Sequence, residues 1–164
     1  MIELNVDLRY NSSGDFMKIV SVREENLLEA AYVHSEAWKD SHRSFCTAEF
    51  VEKHTVEAQA EYLRREILLK KQVWMLIDDI PVGIVSRYGN RIENLYVLPE
   101  RQRRGYGKIL LSYAIEQGEK PCYLSVLNTN GNAKRLYERM GFAETRKQKR
   151  LNDRMYEIEM ILRG

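Results

Sequence analysis

Apolar residues alternate with polar ones at the start of the chain. Ile2, Leu4, Val6 and Leu8 recur at every second position, the period of a half-buried strand. Asn11 to Gly14 breaks the pattern with turn-forming residues, and Phe16–Val22 predicts a second strand. The spacing then becomes helical. Glu25–Lys39 is one such stretch, and Thr47, followed by Glu49 and Phe50, opens another that runs to about Lys70. In it Phe50, Val51, His54, Ala58, Tyr62 and Leu63 would share one apolar face. Asp40–Cys46, between the two helices, has no period and reads as a loop.

The second half alternates strands and helices. Gln72–Asp78 and Pro81–Tyr88 form a hairpin pattern across Asp78, Asp79 and Pro81, and Arg91–Leu98 is a further strand. Gly105–Gln117 predicts a helix that turns Ile109, Leu110, Ala114 and Ile115 inward. Cys122–Leu127 is a strand and Asn130–Met140 a helix, which Gly141-Phe142 ends. Ala143–Arg150, a turn at Asn152-Asp153, and Met155–Leu162 close the chain, with Tyr156, Ile158, Met160 and Leu162 on one face. Hairpins combined with strand-helix-strand passages predict a mixed α/β sheet rather than a doubly wound parallel one. No repeat, low-complexity tract or linker interrupts it, so residues 1–164 are expected to form a single domain, with 1–15 adding an N-terminal strand.

Composition narrows the function classes. A 44% hydrophobic and 30% charged chain of net charge +2 is an ordinary globular protein, with no excess of positive charge for a nucleic acid. The basic run Arg146–Arg150 lies on a predicted strand without interleaved aromatic residues, and reads as a solvated face. No apolar run reaches membrane-spanning length and Met1–Gly14 lacks a secretory pattern, so a cytoplasmic protein without a membrane partner is expected. Cys46 and Cys122 are too few for a disulfide framework, and His34, His42 and His54 have no metal-ligand spacing, so no metal is expected. The strictly alternating last strand offers pairing to a second copy, so monomer and homodimer both fit.

One turn carries chemistry. Gln102-Arg103-Arg104-Gly105-Tyr106-Gly107 joins an apolar strand to an apolar helix. Its glycines let a ligand approach the backbone, and the free amides and dipole of a helix start favour an anion. Arg101, Arg103, Arg104 and Lys108 add positive charge, an arrangement suited to a pyrophosphate. The P-loop and Rossmann fingerprints are absent. Downstream, Asn130, Ala133, Leu136, Tyr137, Gly141 and Phe142 follow at fixed offsets.

The two motifs together, Q/R-x-x-G-x-G/A and N-x-x-A-x-x-L-Y-x-x-x-G-F, resemble those of the GNAT superfamily of acyl-CoA-dependent N-acetyltransferases, most sharply over residues 93–142. The resemblance implies a mixed, mostly antiparallel sheet of six to seven strands with about four helices. It would be splayed between its fourth and fifth strands, here Arg91–Leu98 and Cys122–Leu127. The cosubstrate implied is acetyl-CoA. Its pantetheine arm would bond backbone groups at Leu95, Tyr96 and Val97, and its diphosphate the turn formed by Gln102, Arg103, Arg104, Gly105, Tyr106, Gly107 and Lys108, with Asn130 assisting. Tyr137 takes the place of the general acid. Glu93, counted at the same strand parity as Leu95 and Val97, is the candidate general base, drawing a proton through water. Trp38, His42 and Phe45 would line the amine acceptor's pocket. Relatives that acetylate protein N-termini often carry a Glu on the fifth strand where this chain has Ser125. A small-molecule amine is therefore the expected acceptor, with protein N-terminal or lysine acetylation and a non-catalytic acyl-CoA-binding domain as alternatives.

Overall fold

The alternating segments fold as strands and the helically spaced ones as helices. The computed structural model describes residues 6–11 and 13–164, so Ile2 and Leu4 of the first expected strand lie outside the described residues. The elements are β1 (Val6–Tyr10), β2 (Phe16–Ser21), α1 (Leu27–His42), α2 (Ala48–Glu52), α3 (Val56–Leu68), β3 (Gln72–Asp78) and β4 (Ile80–Tyr88). They continue with β5 (Arg91–Val97), α4 (Tyr106–Glu116), β6 (Cys122–Leu127), α5 (Gly131–Arg139), β7 (Ala143–Arg150) and β8 (Tyr156–Leu162). The fold is mixed α/β, and its hydrogen-bonded strand order is β1-β2-β3-β4-β5-β6-β8-β7.

The long helix expected from Thr47 is two helices. The Thr47 hydroxyl accepts the Phe50 amide at 3.2 Å and caps α2, as the sequence suggests, but Thr55 repeats the device on the Ala58 amide at 3.1 Å and starts α3. A threonine held by its own i+3 amide is a helix start, so the chain breaks between them. The break changes the buried face. Gln59, Ala60, Leu63 and Glu66 of α3 face inward, whereas Ala58 is exposed. Asp40–His42, expected in a loop, belong to the last turn of α1.

The chain clusters into two compact units, Met1–Ser86 with Asn94–Leu111, and Arg87–Glu93 with Ser112–Gly164. In the first, β1, β2 and β3 pair antiparallel, and Val20, Leu27, Ala31, Leu63, Met75 and Ile84 belong to one core cluster. Gly83 of β4 permits close packing on the start of α4. A Cβ there would meet Leu110 Cδ1 at 2.6 Å and the Tyr96 carbonyl oxygen at 3.0 Å.

In the second unit β5 and β6 run parallel and meet at the pair Arg91↔Tyr123. β6 pairs antiparallel with β8 from Cys122↔Leu162 to Leu127↔Glu157, and β8 pairs antiparallel with β7. Both edges of β8 are therefore occupied, which removes the last strand as a place for a second copy. Arg87 is fully buried here. Its guanidinium donates to the carbonyls of Ala114 at 2.8 Å, Ile115 at 3.3 Å, Glu119 at 2.8 Å and Gly89 at 2.8 Å. It thereby satisfies the C-terminal end of α4 with a cation, the sign that end of a helix favours.

Candidate active site

The turn before α4 is built around two residues in the left-handed region, Arg103 at φ +64° and Gly105 at φ +86°. At Gly105 nothing lies within 4 Å of where a Cβ would sit, so the glycine serves backbone conformation and open approach rather than packing. Gln102 to Gly105 and Lys108 are exposed, and the Gln102 side chain donates to the Val97 carbonyl at 3.1 Å, tying the turn to the end of β5. The Ile109 amide makes the first helical bond, to Gly105 at 3.2 Å. Among the described residues, the amides of Arg103 through Lys108 donate to no backbone or side-chain acceptor. A row of unsatisfied donors at a helix start, flanked by Arg103, Arg104 and Lys108, suits a diphosphate. Tyr106 contributes only its amide there. Its ring is buried and its hydroxyl donates to Asp78 at 2.5 Å, with burial the largest cause and Asp78 the next in raising its pKa.

Strand β5 departs from a regular pleat. Asn94 has φ +50°, and its side chain donates to the Ser86 hydroxyl and to the Tyr62 hydroxyl, each at 3.1 Å. A left-handed residue interrupts the two-residue alternation, so the parity counted from Glu93 to Leu95 and Val97 does not carry across it. Asn is among the few non-glycine residues that tolerate this conformation, and a polar Asn inside an apolar strand was the available signal. Glu93, Leu95, Tyr96 and Val97 are all half-buried.

Helix α5 explains much of the second motif in structural terms. The Asn130 side-chain oxygen accepts the Ala133 amide at 3.2 Å, which makes Asn130 the N-cap. At the other end the Gly141 amide donates to the Glu138 carbonyl at 3.0 Å and the Phe142 amide to the Tyr137 carbonyl at 3.0 Å, with Gly141 at φ +99°. This is a Schellman stop, and the Tyr137–Phe142 ring contact (centroids 6.2 Å apart) supplies its usual apolar partner. The Tyr137 side chain is buried, and burial pushes its pKa up to about 12.

Ser125 on β6 is exposed and accepts from Arg91 at 3.2 Å. A carboxylate does stand across from it: Glu159, its register partner on β8, which sequence reasoning missed because it belongs to another strand. Glu159 accepts from Arg91 at 2.6 Å and from the Thr145 hydroxyl at 3.0 Å. These bonds, Arg91 foremost, hold its pKa below the usual range, so it is an ion-pair partner and a poor proton acceptor.

The residues expected to line the acceptor pocket do meet, but chiefly each other. Trp38 is stacked on both faces, by His42 at 3.8 Å and by His54 at 3.4 Å between centroids, and Phe45 lies 5.1 Å from His42. Nδ1 of His42 lies 2.8 Å from the Trp38 carbonyl and Nδ1 of His54 3.1 Å from that of Phe50, which places the proton on Nδ1 in both. With both faces covered, the Trp38 indole cannot stack on a cationic amine. His34, which the sequence left without a role, is buried beside Tyr62 and Tyr96. Burial lowers its pKa to about 4 and keeps it neutral.

Cys46 and Cys122 are free, and no group of three or more potential metal ligands is gathered among the described residues. No helix among them is long and apolar enough to cross a membrane. Residues 70–144 match the family described as the acetyltransferase (GNAT) domain. The chain is 30% identical over 152 residues to the uncharacterized N-acetyltransferase YafP of Escherichia coli (strain K12), covering 92% of this chain and 89% of that one. Its fold is similar to that of PaiA N-acetyltransferase from Thermoplasma acidophilum, solved in complex with coenzyme A (TM-score 0.67, 21% identity, 87% of this chain and 97% of that one). It is equally similar to the ribosomal-protein-S18-alanine N-acetyltransferase of Escherichia coli (TM-score 0.67, 21% identity, 90% and 93%). The sequence likeness to YafP, the family match over the glycine turn and α5, and the open amides of Arg103–Lys108 agree, and the chain belongs to the GNAT superfamily of acyl-CoA-dependent N-acetyltransferases.

Proposed function

We propose that the chain transfers an acetyl group from acetyl-CoA to the primary amine of a small molecule, by direct attack while both substrates are bound. The observation that carries the reading is the run of unsatisfied amides from Arg103 to Lys108, a diphosphate cradle whose geometry is set by Arg103 and Gly105. Backbone groups at Leu95 to Val97 hold the pantetheine arm, and the exposed Asn130, its side-chain oxygen committed to the cap, assists the cofactor through its amide group. Acetyl-CoA supplies the acetyl group as a thioester. The amine must shed a proton and the departing sulfur must gain one.

Glu93 is assigned the amine's proton, through water, as a half-buried carboxylate on β5 rather than by parity with Leu95, and Tyr137 is assigned donation to the sulfur. Burial holds this phenol at about 12, which keeps it protonated throughout the neutral range and makes it a weaker acid than an exposed tyrosine. A small amine is favoured because β6 carries Ser125 where a base for protein N-termini would stand, and Arg91 already engages the neighbouring Glu159. The test is release of thiol from acetyl-CoA with a panel of small amines, peptides with free N-termini and lysine peptides. Turnover confined to small amines supports the reading, and turnover confined to peptides replaces the acceptor class. Tight acetyl-CoA binding without turnover on any amine would make the chain a binding domain.

A further inference from the structure

A second copy of this chain would pair with an edge strand of the sheet, and the two edges differ in what they offer. β8 is interior. β7 ends the strand order on one side, but Arg146, Lys147, Lys149 and Arg150 repel their own copies. Arg146 sits at φ +79° and the register shifts between Glu144 and Gln148, so this edge is both charged and irregular. β1 ends the order on the other side, balances Asp7 against Arg9, and keeps an unshifted register with β2.

The hydrogen-bond register shows which β1 groups face outward. The Asn11 amide donates across the hairpin to the Asp15 carbonyl at 2.9 Å, and the register Val6↔Val20 to Tyr10↔Phe16 continues from that pair without a shift. Backbone groups alternate sides along a strand, so those of Asp7 and Arg9 point to β2 and those of Val6, Leu8 and Tyr10 point out of the sheet edge. The side chains of these outward residues are unusually exposed for their type: Val6 42%, Leu8 61% and Tyr10 63%, with Phe16 beside Tyr10 at 63%. Tyr10 and Phe16 already touch, with ring centroids 4.7 Å apart.

We infer that β1 pairs antiparallel with β1 of a second copy about a two-fold axis through Leu8. The sequence Val6-Asp7-Leu8-Arg9-Tyr10 is self-complementary in that register. Leu8 meets Leu8 of the partner subunit once, on the axis, while Val6 meets the partner's Tyr10 and Asp7 meets the partner's Arg9, each of these two contacts occurring twice by symmetry. The outward backbone groups of Val6, Leu8 and Tyr10 form the hydrogen-bonded pairs. Asp7 and Arg9 fall on the non-hydrogen-bonded positions, where opposing side chains stand closest. The Asp7–Arg9 ion pair within one strand (3.2 Å) is thereby exchanged for cross-strand pairs that fix the register. The apolar row Val20, Val6, Tyr10 of the partner subunit, Phe16 of the partner subunit becomes continuous across the two copies.

Sedimentation equilibrium of the full chain tests this. The wild type is expected to be a dimer at micromolar concentration, and Arg9→Asp and Asp7→Arg, each placing like charges opposite, to weaken association at least tenfold. The exchange Asp7→Arg with Arg9→Asp restores it. In a Cys46→Ser background, Leu8→Cys is expected to cross-link chain to chain under mild oxidation. A wild type that stays monomeric would overturn the inference, as would a dimer indifferent to charge reversal that Leu8→Cys fails to cross-link.

Discussion

The two ends of α4 obey one rule and show opposite outcomes. A helix leaves amides unpaired at its start and carbonyls at its end, and folded proteins normally satisfy both. At the C-terminal end the protein spends a fully buried arginine on this: Arg87 takes the carbonyls of Ala114, Ile115 and Glu119. At the N-terminal end the amides of Arg103 to Lys108 have no acceptor and lie on an exposed turn. The contrast separates structure from function within one helix. The end that is closed holds the fold, and the end left open is where we propose that a ligand anion completes the helix.

That division is open to attack in descending order of expected effect. Arg87→Met leaves the buried carbonyls of the closed end unpaired and should cost roughly 3 kcal/mol or more of stability. Chemical denaturation measures this, while acetyl-CoA affinity of the folded variant changes little. Tyr137→Phe is expected to lower kcat about a hundredfold with KM for acetyl-CoA within about twofold, because binding is proposed at the open end and proton donation at α5. The same phenol gives a pH signature. Its folded pKa of about 12 stands above the ordinary 10, so its burial stabilises fully below pH 10. That contribution falls away as pH rises toward 12, by roughly 3 kcal/mol in all, and Tyr137→Phe abolishes the loss. Gly105→Val places a β-branched residue at φ +86°, costing about 1–2 kcal/mol of stability and weakening coenzyme A binding at least about tenfold. If Gly105→Val bound coenzyme A as well as wild type, the open end would not be the site.

How much of this was legible in the sequence follows the same division. The glycine turn could be read because backbone conformation and open amides follow from Gly105 and its neighbours in order. Helix α5 could be read as a motif, although its letters turn out to be largely a cap and a stop, Asn130 at one end and Gly141-Phe142 at the other. What escaped depended on partners far apart in the chain. Arg87 reads as one more strand residue until α4 is packed on it, and Glu159 sits opposite Ser125 only through strand register. The left-handed Asn94 upset a parity count that assumed a regular pleat, and Thr55 ended a helix that periodicity alone would have continued. The stacking of Trp38 with His42 and His54, and the contact of His42 with Phe45, also lie beyond the sequence, because contacts between side chains leave no trace in spacing.

The most direct test is a titration of the labelled protein with coenzyme A, followed residue by residue through its backbone amide resonances. The account predicts saturable binding with the largest shifts at the amides of Arg103 through Lys108, and little change at the closed end of α4. Binding that leaves those amides unmoved would contradict it.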